Sequence, residues 1–250
     1  VRGWKTQAPS AIPFAAEGWE TPEELNQLGL TRIKEAFVSS AIRADRVGFE
    51  FLELHAAHGY LLHQFLSPLS NQRKDEYGGT LENRMRFPFE VFDAIRKVWP
   101  RDKALGLRLS ATDWVERSSW TLSESVNFAS ALAERGCDFI DVSSGGNSPE
   151  QDIEAGPGYQ TGFAAKIRSE SDLPTMAVGQ IVEPKHAEAI LRSGQADMIS
   201  IGRGMLCNPR WAWQAADSLG DKAAYAPQYM RASTSLRGLP IPGNPPVAKN

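Results

Sequence analysis

"TLSESVNFASALAERGCDFIDVSSGG" (Thr121–Gly146) decides the fold. Thr121 and Glu124 have the spacing of a capping box, in which each closes a free donor at a helix start. Gly136 stops the helix in the manner of a C-terminal cap. Two residues later "DFIDVSS" (138–144) is a short apolar run, too short for a helix and placed as a strand, and a glycine-rich loop follows it. A capped amphipathic helix feeding directly into a buried strand is one unit of an α/β fold.

The same unit recurs on both sides. Upstream, "RIKEAFVSSAIRADRVG" puts Ile33, Phe37, Ala41 and Ala44 on one helical face and ends at Gly48, before the strand "FEFLEL" (49–54). "NRMRFPFEVFDAIRKVW" is a helix with Pro88 expected in its early turns, and "ALGLRLS" (104–110) is the next strand. Downstream come the helix "FAAKIRSES", the strand "PTMAVG" (174–179), the helix "PKHAEAILRSG", the strand "DMISIG" (197–202) and the helix "PRWAWQAADSLG". Apolar strands alternating with amphipathic helices specify a parallel sheet covered by helices. Five βα units are counted where a closed (β/α)8 TIM barrel has eight, so the fold class is α/β, a partial barrel of about five C-terminal units. Residues 1–225 are assigned to that barrel portion, with the first thirty residues as loop. Residues 226–250 form a tail with prolines at 227, 240, 242, 245 and 246.

Composition narrows the function. Hydrophobic content of 42% and charged content of 23% are those of a globular protein. A net charge of −3 gives no electrostatic case for nucleic acid or an anionic membrane. No apolar run reaches the length of a membrane span. Cys137 and Cys207 are the only cysteines and have no CxxC spacing, which favours a reducing cytoplasm over a disulfide framework.

The polar groups sit where strands end: His55, Ser110, Ser143–Gly146, Gly179 and Gly202–Arg203. Parallel α/β barrels build their active sites there. In "ELHAAHGYLLHQFLSPLSNQRKDEYGG" (53–79) two histidines stand three apart and Tyr60 follows two residues later. Three readings are open: a metal pair, a catalytic donor set, or buried polar groups with backbone partners. Only Glu53 could extend a metal site, and it is poorly placed, so no metal is assigned. His63 and His186 are read as structural. Arg108 lies inside an apolar strand and needs a partner. Gly179, Gly202 and Arg203 occupy the strand ends that serve as a barrel's phosphate site.

"HAAHGYLLHQFLSPLSNQRKDEYGG" followed by "ENRMRF" resembles the signature of the old yellow enzyme family, flavin-dependent ene-reductases. The spelling is similar to that of the bacterial xenobiotic reductase and thermophilic-like class. "GLRLS", "VSSGG", "AVG" and "SIGRGMLCNPRW" follow in the family's order, and the match spans about residues 4–231. The resemblance implies non-covalent FMN, reduction by NAD(P)H, and reduction of activated C=C bonds in enones and nitroalkenes. His55, Ala56, Ala57 and His58 match the substrate-binding segment, in which His55 and His58 bind the substrate oxygen, and Tyr60 matches the proton donor. Arg108 matches an arginine on the flavin pyrimidine edge. In "QYMRA" (228–232) Arg231 matches an arginine that enters a neighbouring protomer's site, and a homodimer or homotetramer is expected.

The chemistry is consistent with those residue types. Hydride addition to an activated alkene builds negative charge on oxygen, which two N–H donors stabilise. A phenol with an ordinary pKa of ~10 keeps its proton at neutral pH and can deliver it to carbon. The resemblance also implies three further βα units upstream, carrying a flavin-tuning cysteine, a glutamine and an HAGR-type motif, so the chain is expected to be part of a longer product. Two alternatives follow: a truncated non-catalytic fragment that binds little flavin, and a dienoyl-CoA reductase, which the two isolated cysteines argue against.

Overall fold

In the computed structural model, which describes residues 3–15, 17–223 and 226–229, a five-stranded sheet carries the chain. A two-residue parallel bridge, β1 (Gln7–Ala8) with β2 (Glu23–Glu24), first ties down the N-terminal stretch that was read as loop. The sheet then runs β3 (Phe51–Ala56), β4 (Ala104–Ser110), β5 (Ile140–Ser143), β6 (Thr175–Ala177) and β7 (Met198–Ile199). All neighbours are parallel and in sequence order, with β3 and β7 outermost. This is the expected α/β arrangement of five consecutive strands.

Helices α1 (Gln27–Arg46), α2 (Leu61–Leu66), α3 (Leu81–Val98), α4 (Leu122–Glu134), α5 (Thr161–Ser171), α6 (Pro184–Arg192), α7 (Arg203–Cys207) and α8 (Trp211–Ser218) connect and cover the strands. The Thr121–Glu124 capping box forms in both directions at the start of α4. Asn26 caps α1 by accepting from the Gly29 N–H, which starts that helix earlier than the apolar pattern does.

Side-chain alternation divides the sheet into two unlike faces. One face presents Leu54, Ala56, Leu105, Leu107, Leu109, Ile140, Val142 and Ala177, all buried. Phe65, Phe87, Phe92, Phe128 and Trp120 fill the layer between the sheet and its helices. Each such side chain contributes about 1.5–3 kcal/mol through removal of apolar surface from water. The opposite face carries Glu53, His55, Arg108 and Asp141, with His55, Arg108 and Asp141 in one row of the register. Apolar packing outside and charge inside fix which way each strand faces.

Several boundaries differ from the sequence reading. β3 begins at Phe51 and continues through His55 and Ala56, so His55 lies within the strand. Phe49 instead closes the end of α1, where its N–H bonds the Ala44 carbonyl. Pro88 is well inside α3, not in its first turns, and is buried there. α2 was read only as part of the histidine-rich segment. The run 197–202 pairs only at Met198–Ile199, because Gly202 leaves the strand and precedes α7.

Candidate active site at the carboxyl ends of the strands

The turn after β3 holds the histidines by backbone contacts. His58 adopts a left-handed φ of 59°, uncommon for a side-chain-bearing residue. Its N–H donates to Ser110 Oγ at 2.9 Å, and that hydroxyl donates to the Gly145 carbonyl at 2.9 Å. Gly59 donates its N–H to His63 Nδ1 at 2.9 Å and accepts from Gln64 Nε2 at 2.7 Å. The loop after β5 presses on this turn. A Cβ on Gly146, whose φ is +91°, would lie 2.6 Å from His58 Cα, and one on Gly59 would strike the Gly146 carbonyl. The glycines of "HGY" and "SSGG" are therefore two halves of one backbone contact.

On this turn the rings converge. The His55 ring centroid lies 5.3 Å from that of His58 and 5.4 Å from that of Tyr60. Burial, then the Arg108 cation, lowers the His55 pKa. The same causes, with His55 and His63 added, push His58 down to about 4. Both imidazoles are thus neutral near pH 7, and each carries one N–H donor and one acceptor nitrogen. Tyr60 is 64% exposed, so its side chain is accessible to a substrate. Ala56 and Ala57 are fully buried and serve as the packed floor of the turn.

Arg108 has the partner that its position demanded. Its Nε lies 3.1 Å from Asp141 Oδ2 on the next strand, while about a quarter of its side chain stays open. Burial raises the Asp141 pKa, against the opposing pull of Arg108 and Ser200. Glu53, on the same face, is pushed up to about 7, first by burial and then by Asp141. A carboxyl whose pKa is raised on folding binds more protons in the folded state, so stability falls as pH rises from the ordinary glutamate range to about 7 and is flat above. Glu53→Gln should therefore raise the melting temperature at pH 8 and leave it nearly unchanged at pH 4. Equal shifts at both pH values would contradict the raised pKa.

At the far strands the two glycines differ. Gly179 has φ +133°, and a Cβ there would meet Tyr159 at 3.0 Å, so local packing alone requires glycine. At Gly202 an added Cβ would meet nothing within 4 Å. Its backbone faces open space directly before Arg203, which is exposed. Gly202–Arg203 follow β7 and Arg108 lies near the end of β4, so both stand toward the carboxyl edge of the sheet, and they are groups of the kind that take a phosphate and the electron-rich edge of a planar ring. The residues present are suited to FMN. Arg231 lies outside the described residues.

Other polar residues support the site. His63 and Asp113 are fully buried, with Nε2 3.0 Å from Oδ1 at an angle short of a straight hydrogen bond. Asp113 Oδ2 accepts from Ser67 Oγ at 2.6 Å and from the Trp120 N–H at 2.8 Å. In the loop 70–79, Asn71 Nδ2 donates to the Phe65 and Tyr77 carbonyls, and Arg73 Nη1 donates to those of Pro9 and Leu25. Asn83 donates to the Gly78 carbonyl, and Arg84 to those of Gly79 and Leu66, so this loop braces the site. Sequence reasoning missed Asp113 and Gln160, and it named Ser143 only as part of a polar strand end. Among the described residues no group of three or more His, Cys, Asp or Glu could hold a metal ion. No helix among them is long and apolar enough to cross a membrane.

Comparison with known proteins places this arrangement in a family. Residues 6–222 match the model of the NADH:flavin oxidoreductase / NADH oxidase family. The chain belongs to that family, the old yellow enzyme type of reductase, whose cofactor is FMN. It is 46% identical over 224 residues to an NADPH dehydrogenase of Geobacillus thermodenitrificans (strain NG80-2), covering 90% of this chain and 64% of that protein. An NADPH dehydrogenase of Bacillus subtilis (strain 168) is 44% identical over 224 residues, covering 90% and 65%. The chain therefore spans just under two thirds of the length of these relatives. Among solved structures, morphinone reductase superposes with a TM-score of 0.71 at 28% identity, over 90% of this chain and 62% of that one. A 2-naphthoyl-CoA reductase does so with a TM-score of 0.79 at 25% identity, over 87% and 33%.

Proposed function

We propose that this chain supplies the substrate-handling side of an FMN-dependent reductase that is driven by NAD(P)H and acts on activated C=C bonds of enones and nitroalkenes. The observation that carries the reading is the convergence of two neutral imidazoles and an exposed phenol at the end of β3. Bound FMN supplies the hydride. His55 and His58 donate N–H hydrogen bonds to the carbonyl or nitro oxygen, orienting the alkene and stabilising the charge that develops there. Tyr60 gives its hydroxyl proton to the α-carbon, completing addition across the double bond. Arg108 offsets negative charge on the pyrimidine edge of the cofactor. Gly202 and Arg203 would hold its phosphate, through a backbone that can approach closely and an exposed guanidinium.

The relatives support the reductant and the redox class, since the NADPH dehydrogenases are similar over nine tenths of this chain. A second reading is favoured by one observation: among the described residues the main sheet has five strands, where a closed barrel has eight. On that reading the chain by itself binds little flavin and is not catalytic. Titration with FMN, read by quenching of free-flavin fluorescence and by yellow colour retained after gel filtration, separates the two. Binding is expected in the unsubstituted chain. Gly202→Val, whose added atoms enter open space, should keep the fold and lose the flavin. Equal flavin retention in Gly202→Val would remove the phosphate assignment, and no binding in either form would favour the second reading.

A further inference from the structure

We propose that Ser143 is a positioning residue that sets the tautomer of His58, its hydroxyl donating to Nε2 and so keeping the ring proton on Nδ1. The inference rests on the reading of His58 as a donor to the substrate oxygen, and it says which nitrogen donates.

Its starting point is a 2.7 Å contact between His58 Nε2 and Ser143 Oγ, the one ring hydrogen bond that His58 makes among the described residues. Either atom could be the donor, and the surrounding network decides. Gln160 Nε2 donates to the Val178 carbonyl at 2.9 Å, which turns the amide oxygen Oε1 toward the two serines. Trp114 Nε1–H, a donor only, points at Ser144 Oγ at 2.7 Å. Ser144 in turn sends its own proton to Gln160 Oε1 in a short contact. Gln160 Oε1 is thereby well supplied.

Ser143 has one proton and two acceptors in reach: His58 Nε2 at 2.7 Å and Gln160 Oε1 at 3.5 Å. If Nε2–H donated to Ser143, the serine proton would be left with only the long 3.5 Å contact to Gln160 Oε1. With Ser143 donating to Nε2, the Trp114 N–H and the hydroxyl protons of Ser144 and Ser143 each have a short partner. Ser143 and Gln160 are 5% and 2% exposed, so water is a poor substitute and the better-satisfied arrangement prevails. An accepted bond at Nε2 places the proton on Nδ1, the nitrogen with no partner among the described residues. A second serine, Ser110, fixes the same residue from its backbone N–H. Backbone and ring of His58 are each held by a hydroxyl from a neighbouring strand end.

The test needs no flavin. Long-range proton–nitrogen NMR spectra of the nitrogen-15-labelled chain at pH 7 report which ring nitrogen bears hydrogen, and His58→Gln assigns the His58 signals. The unsubstituted chain should show His58 as the Nδ1–H tautomer. Ser143→Ala should move it toward Nε2–H, the form imidazoles favour in water, and Ser143→Thr should restore Nδ1–H. In the FMN-loaded protein, kcat/KM for an enone should fall in Ser143→Ala in proportion to the Nδ1–H population lost. Nε2–H in the unsubstituted chain overturns the proposal, as does an unchanged tautomer in a Ser143→Ala chain of native circular dichroism. If Ser143→Ala does not fold, the spectrum of the unsubstituted chain still decides. An Nδ1–H result beside an inactive loaded protein would count against the proposed reaction and leave the tautomer assignment standing.

Discussion

Asp113→Ala should destabilise the chain by about 3–5 kcal/mol, the scale for removing one partner of a buried charged cluster. Three groups converge on this carboxylate: the Ser67 hydroxyl, the Trp120 N–H and the His63 ring. None is accessible to water, so alanine leaves all of them without an acceptor. Burial works to raise the Asp113 pKa, but His63, Ser67 and the Trp120 N–H together outweigh it and hold it below the usual aspartate value. A carboxyl depressed on folding adds stability above its unfolded pKa, and that stability is lost as pH falls through the folded value. The loss in Asp113→Ala should accordingly be full at pH 7 and shrink below about pH 4, the ordinary aspartate range. Urea unfolding at the two pH values measures it. A loss under about 1 kcal/mol at pH 7, the scale of an ordinary surface change, would show that the cluster is not held by this carboxylate.

His58→Ala should lower kcat/KM for an enone by about 10²–10³, the scale for one donor to a developing oxyanion. His55→Ala should fall in the same range, and the double variant by less than the product, because the two donors hold one oxygen as a unit and losing either already forfeits much of their shared effect. Neither change should unfold the chain, since His55 and His58 are part-open and the turn is held through the His58 backbone and through Gly59. Both rings are neutral at pH 7, so activity should not follow a histidine titration between pH 7 and 8. A rate that fell as an imidazole lost its proton in that range would mean that a cation, not a neutral donor, does the work.

The strands and helices were legible because each carries its own pattern. The Thr121–Glu124 box and Gly136 bound α4, and "ALGLRLS" maps onto β4 residue for residue. Where pattern failed, tertiary pairing had decided. Phe49 and Glu50 look like strand, yet the β4 register begins at Phe51, and the preceding residues close α1. "DMISIG" is apolar over its length, but only two residues pair, because Gly202 diverts the chain. Of the site, "HAAHGY" announced itself by two histidines and a tyrosine at a strand terminus. Asp113 did not, since "ATDW" has no period and the residues it serves lie 46 and 7 positions away in sequence. Gln160 was equally silent: its role comes from facing Ser143, Ser144 and Val178 at once, which only folding brings about. The pairing of Gly59 with Gly146 is another long-range fact, although both glycines stand in recognisable motifs.

In the proposed reaction the groups at the end of β3 divide the work, the histidines holding the oxygen and Tyr60 protonating carbon. Stopped-flow absorbance of the FMN-loaded Tyr60→Phe protein tests it most directly, because the two half-reactions are recorded separately. Bleaching of the flavin by NADPH needs no phenol proton and should proceed at the unsubstituted rate. Recovery of the flavin colour by an unsaturated ketone should slow by about 10²-fold or more, the scale of a lost general acid. Equal slowing of both half-reactions would contradict the account and make Tyr60 a group that positions ligands, not the proton donor.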